Sequence, residues 1–178
     1  MTRTIGAGIV VTLALTCASA CSSRARPQLP VQPANRTQTL GATIESQDGD
    51  LASALLQLAL VRTAEHHRAV ADEYRRLKIL DAAFDHLSAA TRIDPRDAAA
   101  YDARARIWRD WGVPELGFAD SARAVFYAPR SAAAHNTRGT LLAAAGMRTE
   151  AAREFEAALR IDPGATFART NLCLLVGC

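Results

Sequence analysis

A proline returns every 34 residues in the second half of this chain, and that interval constrains the fold more than any other feature. Pro95, Pro129 and Pro163 close the segments Ile93-Asp94-Pro95, Tyr127-Ala128-Pro129 and Ile161-Asp162-Pro163. Other positions keep the same register. Twelve residues before each proline stand Ala83, Gly117 and Ala151, and five before stand Ala90, Ala124 and Ala158. Twenty-four before stand the small Ala71, Ala105 and Gly139; twenty-one before stand the large Tyr74, Trp108 and Leu142. Gly112 and Gly146 lie midway through the second and third units, where the first has Lys78. Strand signals are nearly absent and Ala is abundant, which favours helix. Proline cannot continue a helix. Each unit therefore reads as two helices joined by a turn, with the proline opening the passage to the next unit. Small residues on both helices let their backbones approach, and the large residue fills the space beside them.

A helix–turn–helix period of 34 with small, large and proline positions in this order resembles the tetratricopeptide repeat. The resemblance spans residues 64–163 and implies an all-α, right-handed α-solenoid. The repeats would run at about 64–97, 98–131 and 132–165, followed by a capping half-repeat at 166–178. A further helix starts near residue 49, with Leu51, Leu55, Leu58 and Leu60 as its apolar residues and Asp50 as its expected cap. Asp81 and Thr149 are the expected caps of second helices. Three positions depart from the family pattern. Arg104 and Arg138 stand where Leu is usual, and Ser121 replaces the large residue supplied by Leu87 and Phe155 in the other repeats. The second repeat should therefore pack less tightly.

The first residues read as an export signal. Arg3 precedes the uncharged apolar run Ile5 to Thr16, too short to span a bilayer comfortably. Ala18-Ser19-Ala20-Cys21 then resembles a bacterial lipobox, which implies a signal at 1–20 and lipid on Cys21. An ordinary A-x-A cleavage site, giving a soluble secreted protein, is the alternative. By the same resemblance Ser22 suits sorting to an outer membrane facing the periplasm. Residues 21–48, with Pro27, Pro30 and Pro33 and no apolar periodicity, read as a flexible tether. Cys173 and Cys178 would share an oxidising compartment. On a straight helix they are too far apart to bridge. A disulfide needs unwinding near Gly177, and the alternative is a small buried Cys173 beside a frayed end.

The formal charge of +3, without a run of one sign, argues against nucleic-acid binding. No nucleophile motif, phosphate loop or dinucleotide fingerprint appears, so the chain reads as a non-enzyme without a cofactor. His66 and His67 point different ways on a helix. His67 and His135 share one repeat position, with Tyr101 there in the middle repeat, which indicates packing rather than a metal site. Trp108 takes the large-residue place, while Trp111 covers a groove or anchors a partner.

In tetratricopeptide repeats the first helices line a concave groove that receives partner peptides. By offset from the prolines, that face holds Arg68, Asp72, Arg75 and Arg76; then Asp102, Arg106, Arg109 and Asp110; then Asn136, Thr140 and Ala143. Arginine forks grip carboxylates, so the expected partner is an acidic protein segment, unless each Arg simply pairs with a neighbouring Asp. The chaperone-tail carboxylate clamp is not present as a set. The resemblance implies an adaptor lipoprotein serving an envelope complex such as a pilus or secretion system, or else a self-associating array. At the C-terminal edge, Leu172, Cys173 and Val176 should face the third repeat, leaving Leu174 and Leu175 open to a weak homodimer contact.

Overall fold

The computed structural model describes residues 48–177. The signal, Cys21, nearly all of the tether and Cys178 lie outside the described residues. Among the described residues eight α-helices follow one another: α1 (Gly49–Leu60), α2 (Ala64–Arg76), α3 (Leu80–Ile93), α4 (Ala98–Asp110), α5 (Phe118–Tyr127), α6 (Ala132–Ala144), α7 (Arg148–Ile161) and α8 (Thr166–Val176). A 3-10 segment, Pro114–Gly117, leads into α5. Among the described residues there is no strand, and no helix is long and apolar enough to cross a membrane. Helices α2/α3, α4/α5 and α6/α7 form three antiparallel pairs. Each second helix also packs on the next first helix, and α1 packs on α2. This is an all-α solenoid.

First and second helices begin differently. The first helices carry side-chain caps: Thr63 accepts from the His66 N–H, Asp97 from Ala100 and Ser131 from Ala134. The second helices α3 and α7 have no side-chain cap, so Asp81 and Thr149 do not serve as expected. A backbone loop replaces them. In the three turns the N–H groups of Ile79, Val113 and Met147 reach the carbonyls of Tyr74, Trp108 and Leu142 at 2.9, 3.1 and 2.8 Å. The residue before each adopts positive φ: Lys78 at 62°, Gly112 at 76° and Gly146 at 81°. That is the six-to-one closure of a left-handed helix end. Orphan carbonyls are satisfied by it, and the chain reverses with no cap needed on the next helix.

The cap of α1 is Asp48 rather than Asp50. Its Oδ1 accepts from the Leu51 N–H at 3.0 Å, and both its oxygens take Arg76 Nη2 at 2.7 Å. Asp48 thus belongs to the folded body. Leu51 and Leu58 enter the core of the first repeat beside Val70, Tyr74 and Leu87. The opposite, outward side of α1 mixes the exposed polar residues Asp50, Ser53 and Gln57 with the exposed Leu56 and Leu60.

The C-terminal edge corrects one expectation. Leu175 is only 8% exposed and packs with Leu142, Phe155 and Leu172, whereas Val176 is 61% exposed. The repeat register explains it. Leu175 stands 34 residues after Leu141 and 68 after Ile107, both fully buried. Leu174 remains open at 79%. Cys173 is disulfide-bonded, with its partner outside the described residues.

Candidate functional site

The first helices turn one face toward a common groove, because positions 34 apart recur at the same angle around the solenoid. Arg75, Arg106, Arg109 and Asn136 come together there around a cavity of about 400 Å³, with Thr137 and Phe167 completing its wall. Phe167 is 44% exposed and was not among the expected residues. Its signal was available, since it occupies in α8 the place of Ala133 in α6. Treating α8 only as a cap hid it. Thr140 and Ala143 line an adjoining cavity of about 250 Å³ with Phe155, Asn171, Leu174 and Leu175. A hydrogen bond of 2.8 Å from Asn171 Nδ2 to Asn136 Oδ1 ties α8 to α6 along this face. The groove is therefore basic in its middle and apolar toward α8.

Each groove arginine already has a carboxylate. Arg75 pairs with Asp72 at 2.8 Å and Arg109 with Asp110 at 2.8 Å. Arg106 pairs with Asp102 and also donates to Thr137 Oγ1 at 3.1 Å. These pairs are not equivalent. Asp72 is 61% exposed, so its pair with Arg75 is worth little and can be exchanged. The Arg109 pair is half-exposed, and a further Arg109 N–H points to Thr140 Oγ1 at 3.4 Å. Asp102 lies deep, and its Oδ1 is buried with no hydrogen-bond partner. Burial raises its carboxyl above the ordinary value, and the Arg106 charge opposes that rise. Arg106 must stay with it, because a buried lone carboxylate is costly. Arg75 and Arg109 are thus the two guanidinium groups that a ligand carboxylate can recruit.

The other two expected arginines hold the scaffold. Arg68 donates to Asp97 at 2.8 Å, and that same carboxylate caps α4. Arg76 clamps Asp48 and Glu73, joining α1 to α2. Hydrogen bonds from Arg76, then from the Leu51 backbone, hold the Asp48 carboxyl below its usual value.

His66 closes locally on Thr63 and the Val61 carbonyl, while the other three histidines sit within helix pairs. His67 Nδ1 lies 3.1 Å from His86 Nδ1, and His135 lies 2.7 Å from Glu154. Burial, with Arg62 and Arg92 near, lowers the His67 pKa. One acidic trio, Asp48, Asp50 and Glu73, has ligand-like spacing among the described residues, but Arg76 already engages two of its members. Trp108 is half-buried. It contacts Phe84 at a centroid distance of 4.9 Å and Trp111 at 5.2 Å, and Trp111 also meets Phe84. Trp111 is therefore an edge of an aromatic cluster, with 37% of its surface left open.

These features define a class: a helical-repeat solenoid with a concave, arginine-lined groove. Comparison with solved structures places the fold among tetratricopeptide domains. The first such domain of Spaghetti (RPAP3), bound to the HSP90 peptide SRMEEVD, is similar at 20% identity, with a TM-score of 0.61 over 64% of this chain and 90% of that one. The Arabidopsis OM64 domain is similar at 20% identity and a TM-score of 0.60, over 64% of this chain and 93% of its own. The second domain of human RPAP3, in complex with the HSP70 peptide SGPTIEEVD, shares 21% identity and a TM-score of 0.58, over 61% of this chain and 91% of its own. No family model matches the chain. No curated protein matches it.

Proposed function

We propose that this chain is a protein-binding adaptor, not an enzyme, and that its concave groove holds an acidic segment of a partner protein. The observation that carries this reading is the cavity between Arg75, Arg106 and Arg109. Arg75 is held by the exposed Asp72 and Arg109 by the half-exposed Asp110 with a long bond to Thr140, and Phe167 offers an apolar wall beside them. An incoming carboxylate displaces Asp72 or Asp110 at small cost and gains a charge-assisted fork. The similar domains whose complexes are known hold peptides that end in Glu-Glu-Val-Asp, which supports the acidic choice. The adaptor sits in a bacterial envelope, held by lipid on Cys21, with the residues from there to 47 as its tether. There it assists assembly of an envelope complex such as a pilus or secretion system.

The test is a pool of fluorescent acidic peptides with free C-terminal carboxylates, followed by anisotropy. Arg75→Glu with Arg109→Glu should weaken capture by at least about tenfold, the size of one lost charge-assisted contact. Far-ultraviolet dichroism should stay helical. Binding that survives the double reversal removes the groove assignment. Separately, Cys21→Ser should abolish lipid labelling and release the protein from membranes; unchanged labelling removes the anchor. A second reading, a self-associating array, draws on the exposed Leu174 and Val176 at the C-terminal edge. A strict monomer at high micromolar concentration in light scattering eliminates it.

A further inference from the structure

The first and third repeats join their two helices at the same register positions but with unlike partners. His67 and His135 stand 68 residues apart, and so do His86 and Glu154. In the third repeat the His135 ring meets a carboxylate: Nδ1 lies 2.7 Å from Glu154, and Arg138 reaches the other Glu154 oxygen at 3.5 Å. In the first repeat it meets a second imidazole. His67 Nδ1 lies 3.1 Å from His86 Nδ1, with the ring centroids 5.2 Å apart, and the far side of His86 faces Tyr74 at a centroid distance of 5.6 Å. Two neutral imidazoles in this contact share one hydrogen, since one Nδ1 donates and the other accepts. A protonated imidazole carries N–H on both nitrogens. The pair therefore accepts one added proton by reversing its bond. A second proton sets two N–H groups against each other, and the contact must open.

The surroundings oppose even the first proton. Both histidines are half-buried. Burial and the charges of Arg62, which follows α1, and Arg92, in the last turn of α3, hold His67 below its ordinary value. Among the described residues no carboxylate pairs with either arginine. An unfolded chain protonates both histidines as the pH falls through about 6.5. The folded pair takes up fewer protons, so its stability is complete above that value and declines below it. At His135 an added proton is met by Glu154 instead. We infer that the His67–His86 contact is an acid-sensitive joint, which opens the α2/α3 pair in mild acid while α6/α7 stays closed. Arg75 lies on α2, so the same opening disturbs the groove. Only that consequence rests on the groove holding acidic segments.

Hydrogen exchange of the purified chain, read by mass spectrometry at about pH 7.5 and about pH 5.5 and corrected for intrinsic rates, follows each repeat separately. It involves no ligand, so its outcome is independent of what the groove binds. Protection in α2 and α3 should fall at least about tenfold relative to α6 and α7, the effect of one proton over one pH unit. His86→Glu copies the third repeat and should abolish that fall, because a proton on His67 then meets a carboxylate. His86→Gln keeps a hydrogen-bonding side chain without a second titrating ring; it should make the fall several-fold smaller, and it serves if His86→Glu does not fold. Equal changes in α2/α3 and α6/α7 of the natural chain overturn the inference. So does a fall that persists undiminished in whichever variant folds, since the acid response then belongs to another group.

Discussion

The second repeat and its two neighbours follow the same 34-residue register but are held together by different physics. In the first and third repeats, Leu87 and Phe155 fill the helix pair, fully or almost fully buried. The third goes furthest: Gly139 is so close to the Phe155 ring that an added Cβ would lie 2.5 Å from it. In the second repeat Ser121 holds that place, and its hydroxyl returns to the Phe118 carbonyl at 3.0 Å. The volume given up by Ser121 is not replaced by apolar atoms. Arg104 enters between the helices instead and binds Asp120 with two parallel bonds of 2.7 Å, with Ser88 and Thr91 accepting from its remaining edge. Its guanidinium also lies over Phe84 and Tyr101, at 5.7 and 5.5 Å from their centroids. The second helix starts with a 3-10 turn at Pro114–Gly117, and α5 is only ten residues long. One register thus tolerates either an apolar wedge or a buried ion pair, provided the pair is fully bonded.

That contrast can be broken most sharply at Asp120. Asp120→Ala leaves the Arg104 charge buried and alone, so urea denaturation should show a loss of about 3–5 kcal/mol. Glu154→Ala, at the matching place in the third repeat, touches a more exposed network with His135 and Arg138. It should cost only about 1 kcal/mol. Equal losses would mean that the second repeat is not the ionic one.

Next in size is Gly139→Ala. The new methyl group forces the Phe155 ring aside, and overpacking of this kind costs about 1–3 kcal/mol. Adding Phe155→Leu should recover part of that loss. If Gly139→Ala is silent in thermal unfolding, the close approach in the third repeat is not what sets its spacing.

The smallest effect compares the three turns. Gly112 and Gly146 take the left-handed conformation freely, whereas Lys78 holds it with a side chain at φ 62°. Lys78→Gly should stabilise the first repeat by about 1 kcal/mol, the cost of a Cβ in that region. Lys78→Ala should give no such gain, and a gain from both would trace to the lost charge instead.

The places where reading by pattern succeeded and failed share one cause. A 34-residue period with small, large and proline positions states which residues face a neighbouring helix, and the helix pairs follow from it. Asp81 and Thr149 looked like caps because they begin second helices, but backbone closure at Lys78, Gly112 and Gly146 had already satisfied the chain there. Arg104 looked like a packing defect because its partner, Asp120, lies on another helix 16 residues away. The groove arginines were visible as a set, but the exposure of each pair was not. Exposure is what separates Arg75 and Arg109, free to exchange partners, from Arg106, bound to a buried Asp102.

The sequence by itself determined the architecture: an all-α array, its period, its turn positions and the face that lines the groove. These depend on local propensity and on residues that recur at constant spacing, and both can be read along a line. Tertiary structure alone decided how charge is distributed, because an ion pair's strength depends on burial and on partners from other helices. It also decided the ends. The register puts Leu175 in the place of the buried Leu141 and Ile107, and Val176 in that of Tyr74, Trp108 and Leu142. Only the packed helices show that the first place is covered and the second left open, because in the other repeats a second helix covers it.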